Sequence, residues 1–218
     1  MKIKFLGHAA FLITTSAGTK IVTDPYEPGG FGGSIRYGRL TEPADIVIIS
    51  HEHADHNFAK MVPGRPRVIR GLGEEAIKDV KLRSLATYHD ASGGAERGEN
   101  IVRVIEADEL AVCHLGDLGH TLSAEEVAAL GRIDVLMVPV GGTFTIDAEG
   151  ATAVVSRLRP HIAIPMHYRT EKVGFNLSSV DNFLAGKPRV RRVEGCEIEV
   201  TKATLPEPTE VVVLKPAL

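Results

Sequence analysis

Three histidines and one aspartate stand within six consecutive residues of the sequence, as His51, His53, Asp55 and His56. The first three alternate along the chain, so in an extended backbone their side chains point to the same side. His56 follows where the chain leaves the strand, and a helix is predicted to begin at Asn57. Neutral imidazoles and carboxylates are ligands of Zn²⁺ and of related divalent metal ions. This spacing therefore predicts a metal site and not a chance cluster of polar side chains in a loop.

The segment before this cluster, residues 45–50 (DIVIIS), is a continuous apolar run. Such a run is typical of a strand that is covered on both faces. Sites of α/β proteins are usually built at the C-terminal ends of such strands. Three further predicted strands are each followed by a residue that could bind or support a metal ion: residues 20–23 by Asp24, 110–115 by Gly116 and Asp117, and 161–166 by His167.

The order of the predicted elements changes between the two halves of the chain. The first half is mostly strands, and the second half alternates strands with helices. Ser123 and Glu126 form the pattern of a capping box, Asp147 is a suitable first residue for a helix to about Leu158, and another helix is predicted to begin at Ser178. Strand runs followed by βα units imply mixed sheets with helices outside them. The predicted strands are residues 2–6, 11–15, 20–23, 45–50, 67–70, 81–88, 100–106, 110–115, 134–140, 161–166, 189–193, 197–201 and 211–214.

Composition excludes several classes of function. The chain has 218 residues, of which 44% are hydrophobic and 24% are charged, and its net charge is −3. These values are typical of a globular domain with a real core, and they give no reason to expect nucleic acid or a membrane as partner. Two isolated cysteines and the lack of a recognisable signal segment predict a cytoplasmic, reduced protein.

The pattern His51-x-His53-x-Asp55-His56 resembles the HxHxDH signature of the metallo-β-lactamase superfamily. Other residues match that family's motifs in the same order along the chain, namely Asp24, Asp117 after Gly116, and His167. The segments LGHAAF, GDLGH and VPVGGTFTID look most like a subgroup of small, uncharacterised metal-dependent hydrolases, and the L-ascorbate-6-phosphate lactonases are more distant relatives. The resemblance implies an α/β fold, a four-layer αββα sandwich of two mixed β-sheets with helices on the outer faces. It also implies one domain, residues 1–218, with similar halves at about 1–99 and 100–218.

One further histidine ligand is expected between Asp55 and Asp117, and the sequence offers two candidates. His89 follows a predicted strand and precedes a glycine-rich loop. His114 lies inside a predicted strand, two residues before Gly116. The position at a strand end favours His89, with His114 as the alternative.

The resemblance implies two divalent metal ions per chain, in the first place Zn²⁺, with Mn²⁺, Fe²⁺ or Ni²⁺ as alternatives. It assigns three histidines to one ion (His51, His53 and His89), a further set to the second (Asp55, His56 and His167), and Asp117 to both. Two ions would lower the pKa of a shared water towards ~7 and so supply hydroxide for hydrolysis. Asp55 is the expected catalytic residue, because it orients the nucleophile and accepts a proton. Asp24 is expected to fix an imidazole from behind, unless it only forms a turn before Pro25.

Two other histidines have two interpretations each. His8 and His120 either reach the metal cleft or substrate, or occupy ordinary structural positions. Residues 24–41 and 168–177 are expected to form the rim of the pocket.

The expected substrate is a small ester, lactone, amide or phosphodiester, because the length leaves little room for the added segments of relatives that act on RNA or on thioesters. The alternatives are a mononuclear iron oxygenase on the same fold and a non-catalytic metal-binding protein. A diiron enzyme is disfavoured, because such relatives usually have Glu where this chain has His53.

Overall fold

The computed structural model describes residues 1–218 and contains two mixed β-sheets that pack face to face. The first sheet has six strands, in the spatial order β13 (Glu197–Glu199), β1 (Lys2–Gly7), β2 (Ala10–Thr14), β3 (Lys20–Thr23), β4 (Ala44–Ile48) and β5 (Gly64–Ile69). The second has eight strands, in the order β12 (Val190–Arg192), β14 (Glu210–Val213), β11 (Ile162–Met166), β10 (Val135–Pro139), β9 (Leu110–His114), β8 (Glu99–Ala107), β7 (Val80–Tyr88) and β6 (Glu75–Ile77). Strands β3, β4 and β5 are parallel to one another, as are β9, β10, β11, β14 and β12, whereas the other pairs are antiparallel. The prediction of two mixed sheets is confirmed.

Four helices and two 3₁₀ turns complete the fold: α1 (Gly30–Gly33), α2 (Ala124–Leu130), α3 (Ala148–Leu158), α4 (Val180–Leu184), and the turns Ala59–Met61 and Lys202–Thr204. The predicted capping box is present, since the Ser123 hydroxyl accepts a hydrogen bond from the backbone N–H of Glu126 and the Glu126 carboxylate accepts one from that of Ser123. Asp147 caps α3, as expected. α4 is capped by Ser179, one residue later than the start predicted from the sequence.

The α-helix predicted to begin at Asn57 is wrong. The chain instead forms a tight turn followed by the single 3₁₀ turn Ala59–Met61. Phe58 donates its backbone N–H to the Pro25 carbonyl at 2.7 Å, which ties this segment to the loop after β3. Pro63 follows within a few residues and cannot supply a backbone N–H to a helix.

The main core lies between the two sheets. Ile3, Phe5 and Phe11 of the first sheet are at most 1% exposed there. β10 and β11 are buried along their whole length, because α3 covers their other side with Ala151 and Val154. Burying each such side chain contributes roughly 1.5–3 kcal/mol, so these strands form a rigid base for the loops at their ends.

The outer face of the first sheet is covered mainly by loops and short helical turns. Tyr26, Ile35 and Tyr37, all from the long loop after β3, pack against the sheet in a second apolar cluster with Val173 and Leu177. That loop is rich in Gly and Pro, which disfavour long helices. The outer layer of helices is therefore thin on this sheet and well formed only on the second. None of the helices has both the length and the apolar character needed to cross a membrane.

Candidate metal centre

The carboxylate of Asp117 lies at the centre of a group of imidazoles. Its Oδ2 is 3.2 Å from Nε2 of His56, 3.2 Å from Nε2 of His89 and 3.3 Å from Nε2 of His167. Nε2 of His51 is 3.9 Å away. Four different segments supply these side chains, each following the C-terminal end of a strand (β4, β7, β9 or β11). These strand ends meet at one edge of the sandwich.

The possible ligand atoms form groups in which all members lie within 4.8 Å of one another. One group is His51, His53 and His89, and a second is His8, Asp55, His56 and His167. Nε2 of His51, Nε2 of His56 and Oδ1 of Asp117 are buried and have no hydrogen-bond partner. Buried polar atoms without partners are costly and rare in folded proteins. A cation bound among them would satisfy all three, so the residues present fit divalent metal ions.

Asp24 supports two of the imidazoles from behind. Its Oδ2 accepts hydrogen bonds from Oγ of Ser50 at 2.6 Å and from Nδ1 of His56 at 3.0 Å, and its Oδ1 accepts from the backbone N–H of Ser50 at 2.8 Å. The Ser50 hydroxyl in turn accepts from Nδ1 of His51 at 2.8 Å. This network places a proton on Nδ1 of both histidines, so each Nε2 faces the centre and can bind a metal ion once it carries no proton. The geometry favours the supporting role of Asp24 over a simple turn before Pro25.

The position of Asp117 at the centre of the cluster depends on the neighbouring residue, Gly116. Gly116 has a φ of +56°, and a Cβ there would overlap the Asn100 side chain and lie 2.6 Å from Cβ of Ser50. Asn100 accepts a hydrogen bond from the backbone N–H of Asp117 at 2.9 Å and donates one to the Leu115 carbonyl at 2.9 Å. Asn100 therefore fixes the loop that carries the central carboxylate. Nothing in the sequence singled out Ser50 or Asn100, because their role is visible only from contacts between distant segments.

The structure brings His89, and not His114, to the cluster. His114 is buried with both ring nitrogens engaged, because Nε2 donates to the Ala9 carbonyl at 2.8 Å and Nδ1 accepts from the backbone N–H of Gly116 at 3.1 Å. It therefore has no free lone pair for a metal ion. Its position under the turn that leads to Asp117 is structural.

His8 and His120 occupy different environments. His8 lies inside the cluster at 1% exposure, and its Nε2 donates to Oδ2 of Asp55 at 3.1 Å. Its backbone carbonyl accepts from the N–H of His167 at 2.8 Å. His120, in contrast, accepts a long hydrogen bond from the backbone N–H of Tyr88 at 3.3 Å and does not line the cavity described below. Of the two expectations for each residue, the structure favours a position at the centre for His8 and an ordinary structural one for His120.

The charges within the cluster are strongly coupled. Burial lowers the pKa of His51 to about 3 and that of His8 to about 4. Burial also opposes protonation of His56, but Asp117 and Asp55 beside it raise its pKa well above the usual value. Burial opposes ionisation of Asp117, yet His167 and His56 hold its pKa well below the usual range. Without a bound cation the site thus keeps a buried ion pair, which a metal ion would replace.

A cavity of about 420 Å³ opens directly onto the cluster. Side chains of His53, Asp55, His89, Asp117 and His167 form its base. The remaining lining residues are Phe31, Phe144, Phe175 and Arg97. Phe31 and Phe175 belong to the two segments that were expected to form the rim. Phe144 and Arg97 were not anticipated, although the TFTID segment that contains Phe144 was noted as a motif.

Two packed mixed sheets with a cluster of possible metal ligands at one edge define a class of metal-dependent proteins. Comparison with known proteins places the chain in the same class. Residues 2–167 match the family described as beta-lactamase superfamily domain. The chain belongs to the metallo-β-lactamase superfamily.

Several individual relatives are similar over most of their length. A UPF0173 metal-dependent hydrolase from Carboxydothermus hydrogenoformans is 30% identical over 196 residues, which cover 78% of this chain and 85% of that protein. One from Thermococcus onnurineus is 31% identical over 195 residues, with the same coverage of 78% and 85%. A crystal structure from Thermotoga maritima, described as a candidate zinc-dependent hydrolase of the superfamily, has a TM-score of 0.81 at 39% identity and covers 98% of this chain and 97% of that one.

Proposed function

We propose that the protein is a metal-dependent hydrolase that uses two divalent metal ions, with Zn²⁺ as the preferred candidate. The observation that carries this proposal is the set of buried, unpartnered ligand atoms on His51, His56 and Asp117. The names of the similar proteins, which are metal-dependent hydrolases, support the reaction class. His51, His53 and His89 would hold one ion, Asp55, His56 and His167 the second, and Asp117 both. Bound there, the ions would lower the pKa of a water molecule and stabilise negative charge on a substrate oxygen.

The chain's own residues position the groups that react. Asp55 is 7% exposed and faces the cavity, so its carboxylate can orient the attacking water and accept the proton that this water loses. His8 donates to Oδ2 of Asp55 and so fixes the direction of that carboxylate. Asp24 and Ser50 hold two imidazole rings in one orientation, which keeps the centre preorganised.

The cavity supports a small substrate. A volume of about 420 Å³ lies in the range of small-molecule pockets. We therefore propose a small ester, lactone, amide or phosphodiester as substrate, without a nucleic-acid or membrane partner. The unpaired cysteines Cys113 and Cys196 support a reducing, cytoplasmic location.

Metal analysis combined with turnover tests the proposal. The purified protein should contain about two metal ions per chain and hydrolyse simple carboxylic or phosphodiester substrates. The variants His51→Ala and Asp117→Ala should lose both metal and activity. His161→Ala is the matched control, since His161 bonds the Pro206 carbonyl at 2.9 Å outside the cluster. A single tightly bound iron with oxygen consumption would identify an oxygenase instead, and a protein that binds metal without any turnover would indicate a binding protein.

A further inference from the structure

Arg97 is the one permanent cation among the residues that line the cavity. The same side chain also lines a neighbouring cleft, of about 410 Å³, that shares His53 with the cavity. Its guanidinium lies 5.9 Å from the ring centroid of Phe144, and Nη1 is 3.3 Å from a carboxylate oxygen of Glu96. That ion pair is exposed, and exposed pairs of this kind are weak. The guanidinium is therefore available to another anion in the cavity.

The loop that carries Arg97 is built to hold it in place. Asp90 is 4% exposed, and its carboxylate accepts hydrogen bonds from backbone N–H groups of Ser92, Gly94, Glu96 and Arg97, at distances of 2.8, 2.9, 3.0 and 2.7 Å. The N–H of His89 donates to the Gly98 carbonyl at 3.0 Å, which closes the base of the loop. The proposed ligand His89 and the cation Arg97 are thus parts of one locally braced loop. A side chain on a braced loop is suited to specific recognition, because the loop backbone does not have to become ordered on binding.

The cavity also has an apolar wall. Phe31, Phe144 and Phe175 pack edge to face, with ring centroids 5.4 Å apart for Phe31 and Phe175 and 5.7 Å apart for Phe144 and Phe175. Phe31 is 51% exposed, so part of this wall is open to solvent. Three aromatic rings beside one guanidinium favour a molecule that has both an apolar part and a negative charge.

Resting on the proposed hydrolase function, we propose that the substrate is an anionic small molecule with an aryl or branched alkyl group. Its carboxylate or phosphate binds Arg97, its apolar group lies against the three phenylalanines, and the bond to be hydrolysed lies over the metal cluster. A carboxylate and a phosphate each offer two oxygens that can accept two parallel hydrogen bonds from a planar guanidinium. A neutral molecule of the same shape would leave Arg97 paired only with Glu96 and would gain only the apolar contact.

Calorimetric binding to the metal-loaded protein tests this without any turnover. Benzenesulfonate and methyl phenyl sulfone are a suitable pair, because they share the ring and the sulfonyl group and differ in charge. A sulfonate is also a poor ligand for metal ions, so it reports on Arg97 rather than on the cluster. We expect benzenesulfonate to bind at least about 10-fold more tightly than the sulfone. The variant Arg97→Leu should lower the affinity for benzenesulfonate by about 10- to 100-fold and leave the affinity for the sulfone unchanged. Benzoate and phenyl phosphate, titrated in parallel, identify the preferred anion.

Three variants separate the contributions. Arg97→Lys keeps the charge and should retain part of the preference for the anion. Phe144→Ala should lower the affinities for benzenesulfonate and for the sulfone by a similar factor. Arg65→Leu removes an exposed arginine that does not line the cavity, and it should change neither.

The proposal is overturned if the two probes bind with equal affinity, or if Arg97→Leu leaves the ratio of their affinities unchanged. It is also overturned if the Kd of benzenesulfonate exceeds about 10 mM. These outcomes are independent of the hydrolase proposal. If the wild-type protein contains metal and hydrolyses esters but shows no preference for the anionic probe, only the proposed substrate class is refuted. Anion binding that depends on Arg97, in a protein without hydrolytic turnover, would refute only the reaction.

Discussion

Replacing Asp24 by Asn is the sharpest test of how the centre is held together. The side chain keeps its shape, and Asn tolerates the φ of +39° found at this position about as well as Asp does. What changes is the ability to accept hydrogen bonds. The carboxylate accepts three of them, from the backbone and hydroxyl of Ser50 and from His56, and an amide oxygen replaces only one of its two oxygens.

The geometry gives the expected magnitude. If the amide nitrogen took the place of Oδ2, it would face two donors, from Ser50 and His56. If it took the place of Oδ1, it would face only the backbone N–H of Ser50, so this orientation should prevail. One buried donor without an acceptor costs about 1–3 kcal/mol of stability. His56 would also lose its anionic partner and become a weaker ligand, and loss of such a partner typically lowers metal affinity by about 10- to 100-fold, or roughly 1.4–2.8 kcal/mol.

Competition with a chelator of known affinity measures the metal term, and thermal unfolding of the metal-free protein measures the stability term. Asp147→Asn is the matched control, because Asn caps a helix as well as Asp does and α3 lies away from the centre. Metal affinity within twofold of the wild type in Asp24→Asn, together with reduced stability, would show that Asp24 only supports the fold. Ser50→Ala should give a smaller loss, since it removes the link to His51 but leaves the bond between Asp24 and His56.

Three further predictions address the ligands directly. His89→Ala should lower the metal content of the purified protein by elemental analysis, whereas His114→Ala should mainly lower the unfolding temperature; the reverse order would contradict the assignment of His89. Although burial opposes protonation of His56, Asp117 and Asp55 raise its pKa above the usual value in the metal-free protein, so we expect metal binding to displace a proton from this ring and the apparent affinity to rise with pH. Calorimetry in buffers of different ionisation enthalpy measures that proton, and binding without proton release would refute the ion pair. Removing the metal should lower the unfolding temperature, since a ligand at about 1,000 times its Kd stabilises the folded state by about 4 kcal/mol, and readdition of Zn²⁺ should restore it.

Much of the fold and several groups of the centre could be anticipated from local sequence. The buried strands are continuous apolar runs in the sequence. The structure brings together the polar residues that follow them within a few positions, such as His51, Asp117 and His167. Strand ends are predictable because the apolar pattern stops there, and the parallel arrangement then places those ends side by side.

Other features depend on contacts between distant segments and left no local signal. Asn100 lies inside a strand, and its role follows only from the position of Gly116 against it. In the sequence, Arg97 is one more charge in a polar loop, because its position beside the cavity depends on a loop backbone that four hydrogen bonds to Asp90 hold in place. The helix predicted at Asn57 is wrong for a partly local reason, namely Pro63, and for a distant one, the hydrogen bond from Phe58 to the Pro25 carbonyl.

Three residues of the centre have strained backbone conformations. His8, Asp24 and His167 have φ values of +56°, +39° and +51°, in the left-handed region that residues other than glycine adopt at a cost of roughly 1–2 kcal/mol. Each is held there by the cluster itself: His8 by Asp55, Asp24 by Ser50 and His56, and His167 by the His8 carbonyl. Burial of the apolar core between the sheets stabilises the fold by more than this strain destabilises it, so the strained residues and the unpartnered nitrogens persist at the strand ends. A bound cation would act on both, since it would satisfy the free nitrogens and hold the strained turns in place, so we expect metal affinity and stability of the fold to be coupled through the same few residues.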